Sequence, residues 1–241
     1  MMKVLGIDTS GQTASAAIID GQKLLGEFTQ NDKLTHSQTI LPMIAELCEK
    51  TNTKLQDIDV VACAAGPGSF TGLRIGGATA KGLCLGIEKP IVAVPTLDAL
   101  AYNMFMAGAV VCPIMDARRQ QVYACFYEWE NETLIHLTEY MAESIDVVIT
   151  KAEIFEKPVI FLGDGVAVHK QKLEQTPKFY VAPAHCALQR ASSVAALGQQ
   201  MAKEGKATKG DLFSLIYLRK SQAEREREER LQKEKEAGHD V

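Results

Sequence analysis

At 241 residues the chain is long enough for one large domain or two lobes of ordinary size, and 46% apolar with 23% charged residues is the balance of a globular protein. A net charge of −4 argues against strong, free-standing nucleic-acid binding, and no apolar run reaches the roughly 18 residues needed to span a bilayer. The N-terminus reaches Lys3 and Asp8 too early for a signal peptide, and the six cysteines lack C-x-x-C spacing, so a reduced, cytoplasmic protein is expected.

Lys3 to Asp8 is an apolar run ending in an acid, followed by a Thr9-Ser10-Gly11 turn. Ala14 to Ile19 predicts a second strand, Asp20-Gly21 a hairpin turn and Lys23 to Phe28 a third strand. Thr35 to Gln38 opens a helix with Ile40, Leu41, Ile44, Leu47 and Cys48 on one stripe, which Pro42 should bend or start late. Asp59 to Ala65 is the next strand, and it runs into Gly66-Pro67-Gly68-Ser69-Phe70-Thr71-Gly72-Leu73-Arg74-Ile75-Gly76-Gly77. Ala78 to Ile87 continues as helix, with Ser69 or Thr71 as its cap. Ile91 to Val94 is a short buried strand, and Thr96 caps a helix to about Ala107.

Strand, glycine-rich turn and helix can aim backbone N–H groups at an anion. The spacing excludes a Walker A loop, because no lysine follows Thr71 or Leu73, and Thr71 breaks the G-x-G-x-x-G dinucleotide pattern. The glycines suit another task at least as well. Gly72, Gly76 and Ala80 recur every four residues, a small-residue row that lets another helix approach closely.

After Gly108 the pattern restarts. Met115 to Phe126 mirrors Ile7 to Ile18, with coincidences at Asp8/Asp116, Gln12/Gln120 and Ala16/Ala124, which predicts an internal duplication. Leu134 to Met141 is expected as the third strand of the second meander, Ser144 to Ile149 as a short helix and Val159 to Leu162 as a strand. A turn at Gly163-Asp164-Gly165, a strand at Phe179 to Val181, a helix from Cys186 to Lys203 and extended Leu215 to Leu218 follow. The boundaries expected are a first lobe over 1–108, a second over 109–218 whose last helix packs on either lobe, and a charged tail over 219–241.

Two lobes opening with strand, Asp, turn and strand resemble the mixed α/β actin/Hsp70/sugar-kinase superfamily, whose lobes share a ribonuclease-H-like core. Ile7-Asp8-Thr9-Ser10, His36-Ser37 before Leu41-Pro42, Gly66 to Gly76, Met115 to Arg119 with Val122-Tyr123, and Tyr217-Leu218-Arg219 resemble the TsaB (YeaZ) family over residues 1–220. That resemblance implies a non-catalytic subunit in the synthesis of threonylcarbamoyladenosine, the modified adenosine beside the anticodon of ANN-decoding tRNAs. It implies pairing with the catalytic paralogue TsaD, recruitment of the ATPase TsaE, a homodimer when alone, and contact with tRNA only through the complex. ATP and metal are then expected in the partner subunits, with no cofactor bound by this chain itself. The rival classes are an ATP-dependent kinase or ATPase and a glycoprotease-like metal hydrolase.

Asp8, Thr9, Ser10 and Asp116 stand where a superfamily ATPase grips phosphate and metal. The structural alternative is turns whose side chains satisfy their own backbone, and Ala117-Arg118-Arg119 in place of a small glycine-rich loop favours it. No pair of histidines has metal-ligand spacing on a helix, and no Ser-His-Asp set can be named. By resemblance the subunit interface falls on the two helices of the first lobe, with Gly72, Gly76, Ala80 and Leu83 in one row and Leu41, Ile44 and Cys48 in the other. Gly76→Arg is accordingly expected to abolish partner binding and spare the fold.

Overall fold

A computed structural model describes residues 1–32 and 35–219; the remainder of the predicted charged tail lies outside the described residues. The first lobe opens with β1 (Lys3–Asp8), β2 (Ala14–Asp20) and β3 (Lys23–Gln30), followed by α1 (His36–Lys50) and β4 (Val60–Gly66). It continues with α2 (Phe70–Ile87), β5 (Ile91–Pro95) and α3 (Thr96–Tyr102). The sheet order is β3-β2-β1-β4-β5, antiparallel across the first three strands and parallel from β1 onward.

The second lobe contains β6 (Val110–Asp116), β7 (Gln121–Ala124), β8 (Tyr127–Glu130), β9 (Thr133–His136) and β10 (Met141–Ser144). Then come α4 (Ile145–Glu153), β11 (Val159–Leu162), α5 (Gly165–Leu173) and β12 (Phe179–Val181). Its main sheet path, β10-β7-β6-β11-β12, repeats the first with the same sense at every pairing. This is the duplicated, ribonuclease-H-like pair of lobes that the actin/Hsp70/sugar-kinase resemblance implied.

The register corrects part of the sequence alignment. Ile7 pairs with Ala16 and Asp8 with Ser15, whereas Met115 pairs with Tyr123 and Asp116 with Val122. Asp8 and Asp116 are therefore equivalent, but the second turn is one residue shorter. Tyr123, not Ala124, stands where Ala16 stands, so the Ala16/Ala124 coincidence is accidental. The stretch expected as one strand from Leu134 to Met141 is two. Its start falls in β9, which pairs with β8 as an inserted hairpin, and its last residue, Met141, opens β10 beside β7. Asn131 and Glu132 turn that hairpin with positive φ at both positions, as a two-residue reverse turn requires.

Each sheet is covered on both faces. In the first lobe α1 and α2 bury Ile40, Ile44, Leu47, Ala80 and Cys84 against Leu5, Ile7, Ile18 and Val61. The opposite face is closed by α6 (Ala191–Lys203), which leaves the second lobe and packs across β1, β2, β4 and β5. The fold caps this helix from a distance. Ser15 Oγ accepts from the Ala191 N–H at 2.9 Å, and the Glu27 carboxylate accepts from the Ser192 N–H at 2.9 Å while pairing with Arg190. Between the lobes, Asp98 of α3 accepts hydrogen bonds from the hydroxyls of Tyr127 and Tyr140, both at 2.7 Å, and meets His136 Nε2 at 3.2 Å. The inserted hairpin thus latches onto the first lobe's last helix. Among the described residues, no helix is long and apolar enough to cross a membrane.

Candidate functional site

The ends of β1 and β6 face each other across a cleft of about 480 Å³. Its walls are Ser10 to Gln12 and Gly68 to Thr71 from the first lobe, Met115 to Arg118 with Tyr123 and Asp164 from the second, and Tyr217 and Arg219 from the chain's return. Of the four residues singled out as a phosphate or metal grip, Ser10 and Asp116 line it; Asp8 and Thr9 lie beneath.

Asp8 is sealed: its Oδ1 accepts from the Ser10 N–H at 2.8 Å and from the Ser10 hydroxyl at 2.6 Å. Burial pushes its carboxyl up to about 6, against the lowering effect of the Ser10 bonds. The Thr9 hydroxyl is spent on the Gly72 carbonyl at 2.7 Å. These three side chains satisfy the turn and its neighbours, which is the structural alternative raised for them. Asp116 is more open, but Arg118 caps it twice, through its N–H at 2.8 Å and an ion pair at 3.3 Å. Arg118, Arg119 and Gln120 all have positive φ, a left-handed run that the shorter turn imposes on residues with side chains.

The sequence pattern marks Asp164 only as part of a turn. It is a buried acid at the start of α5 that accepts from the backbone N–H of Asp116 at 3.0 Å, with the N–H groups of Gln12 and Gly165 near enough to favour its charged form. One carboxylate therefore ties the first turns of both lobes together, and burial raises its pKa. Sequence offered no signal for it beyond an acid between two glycines. Among the described residues, no group of three or more His, Cys, Asp and Glu side chains is arranged to hold a metal ion.

The glycine-rich stretch is helical from Phe70, with Ser69 Oγ accepting from the Gly72 N–H at 3.3 Å. Here the interface prediction needs correction. Gly72, Gly76, Ala80 and Ile44 are buried inside the lobe. A Cβ on Gly72 would run into the Thr9 carbonyl oxygen, and one on Gly76 into the Thr9 hydroxyl. That small-residue row lets α2 approach the chain's own β1 turn, not a partner. Leu83 and Cys48 are half-buried, and of the residues named only Leu41, at 53%, is exposed.

The sequence carries further small residues four apart, Gly82 and Gly86, and the structure puts them on a second row. At 3.6 residues per turn, Thr71, Ala78, Gly82, Leu85 and Gly86 share the opposite side of α2, and all are exposed. Leu85 is 68% exposed, and a Cβ on Gly82 or Gly86 would meet nothing. The neighbouring α1 has exposed residues of its own in Leu41, Pro42 and Ala45.

Comparison with known proteins agrees with this architecture. The family model described as TsaD, tRNA N6-adenosine threonylcarbamoyltransferase, matches residues 23–227. The tRNA threonylcarbamoyladenosine biosynthesis protein TsaB of Bacillus subtilis is 33% identical over 231 residues, covering 92% of this chain and 96% of that protein. A tRNA N6-adenosine threonylcarbamoyltransferase of Methylorubrum extorquens is 31% identical, but over only 47% of this chain and 39% of its own. A Pseudomonas aeruginosa crystal structure described as similar to peptidase YeaZ superposes with a TM-score of 0.80 at 24% identity, covering 91% of this chain and all of that one. Fold, motifs and near end-to-end similarity converge: the chain belongs to the TsaB (YeaZ) family, which serves tRNA threonylcarbamoyladenosine biosynthesis.

Proposed function

We propose that this chain is a docking subunit without catalysis of its own. It completes a cytoplasmic threonylcarbamoyltransferase by pairing with the catalytic paralogue TsaD, the pair then recruiting TsaE. ATP and metal belong to those partners, and tRNA is met through the assembly. The observation that carries this reading is the bare face of α1 and α2, where Leu41, Ala45, Ala78, Gly82 and Leu85 present apolar or absent side chains to solvent. A helix pair with such a face is suited to close packing against another helix pair. Without the paralogue, the same face pairs with a second copy, since one self-complementary patch makes a twofold dimer.

The sealed Asp8 and the committed Thr9 hydroxyl favour docking over an ATPase, because neither is free to hold magnesium or phosphate. The test is Gly82→Arg. The side chain has space in the free protein and none in a packed interface, so normal melting with loss of both dimer and paralogue binding is expected. Isothermal titration with Mg-ATP is the counter-test: micromolar binding with steady turnover overturns the docking reading.

A further inference from the structure

Resting on the docking face just described, we propose that Arg74 is a pre-organised receptor for a carboxylate presented by the partner protein. Arg74 is exposed on α2, beside the row of Thr71, Ala78 and Leu85. A lone surface arginine samples many rotamers, and fixing it costs side-chain entropy. This one is already fixed from two sides. Its guanidinium carbon lies 3.9 Å over the centre of the Phe70 ring, and its Nε donates to the Tyr217 hydroxyl at 3.4 Å. Phe70 and Tyr217 pack together with ring centres 5.0 Å apart, so the two supports brace each other.

Tyr217 is held in turn. The segment carrying it is tied to the first lobe by the Ile216 N–H on the Ala65 carbonyl at 2.7 Å, and to the second by Arg219 Nη1 on the Ala117 carbonyl at 3.0 Å. What remains of Arg74 is its terminal fork. Neither Nη has a hydrogen-bond partner among the described residues, and no acid there pairs with it. A planar guanidinium held by its stem, with both outer nitrogens unspent, matches the two oxygens of a carboxylate. Such an arginine at the edge of an apolar face fits interface anatomy, where a charged anchor fixes the register of an otherwise featureless helix pair.

The test measures the affinity of purified TsaD paralogue for the full chain across a salt series, with melting temperature recorded for each variant. Arg74→Met is expected to melt like wild type, to weaken binding by about tenfold or more and to flatten the salt dependence. Arg74→Lys should recover only part, because an ammonium keeps the charge and loses the fork. Tyr217→Phe keeps the ring packing and removes one support, for a loss of about two- to threefold. If Arg74→Met binds as wild type while Gly82→Arg does not, the carboxylate receptor falls and the docking face stands. If wild type fails to bind, or Gly82→Arg binds normally, both fall. If Arg74→Met lowers affinity only with tRNA present, the group recognised is a phosphate, and the proposal is overturned.

Discussion

The two lobes carry the same sheet, yet they treat their equivalent first turns in opposite ways. In the first lobe, six residues separate Asp8 from its cross-strand partner Ser15, no turn residue is left-handed, and the acid is buried under Ser10. In the second, five residues make the same journey. Three consecutive residues adopt positive φ, and the acid stays partly exposed with an arginine folded over it. One deleted residue thus separates a sealed turn from an open, strained one. The outer helices diverge as well. α2 uses glycines on both sides, one side to close onto its own β1 turn and the other left bare, whereas α5 carries its glycine at its first residue, against the Ile114 carbonyl.

The contrast can be broken most severely at α2. Gly76→Arg should unfold the first lobe instead of merely blocking a partner, because the side chain would enter the space of the Thr9 hydroxyl. A loss of about 3 kcal/mol or more in urea denaturation is expected. A variant as stable as wild type would show that this face of α2 is not packed.

Next in size is the sealed acid. With a folded-state pKa of about 6 against 3.8 unfolded, the native protein takes up the Asp8 proton first as pH falls. Between those values the folded state binds more protons, so the Asp8 contribution to stability rises as pH falls from 6 toward 4, and it is lost as pH rises. The full swing is about 3 kcal/mol. Asp8→Asn keeps an acceptor for Ser10 and removes the titration. The difference in unfolding free energy between wild type and variant, plotted against pH, should carry that slope. A flat difference would mean that Asp8 is solvated.

The second turn offers a smaller and opposite effect. Arg119→Gly relieves a left-handed residue, worth about 1 kcal/mol, against the chain entropy that glycine adds, for a net gain of about 0.5 kcal/mol. Gln12→Gly in the first turn has no such strain to relieve and should lose about 0.5–1 kcal/mol. Equal effects at both positions, read by thermal melting, would erase the distinction between the turns. Smallest of all in stability is Gly82→Arg, expected within about 0.5 kcal/mol of wild type. A large loss would mean that this face is covered within the chain.

Much of the frame was legible because strand alternation, turn residues and Gly-Pro punctuation are local. The first meander, β4, the glycine-rich helix and the restart after Gly108 stand close to where the pattern put them. The hidden features depended on distant neighbours. The Gly163-Asp164-Gly165 turn leads directly into α5, whose weakly amphipathic residues gave no stripe, and Asp164 gains its meaning from the Gln12 N–H of the other lobe. α6 was visible as a small-residue helix, but its place on the first sheet is set by Ser15 and Glu27, more than 160 residues away.

By itself, then, the sequence determined the order of elements in the first lobe, the duplication, the family and the absence of a phosphate loop, since each rests on residue identity at short spacing. Only the tertiary structure decided which of two small-residue rows on α2 is interior. Both rows satisfy the same four-residue periodicity, and periodicity specifies that faces exist without specifying which one meets the sheet. The close approach of Thr9 to Gly72 and Gly76 settled that choice, and it left Gly82 and Leu85 facing outward.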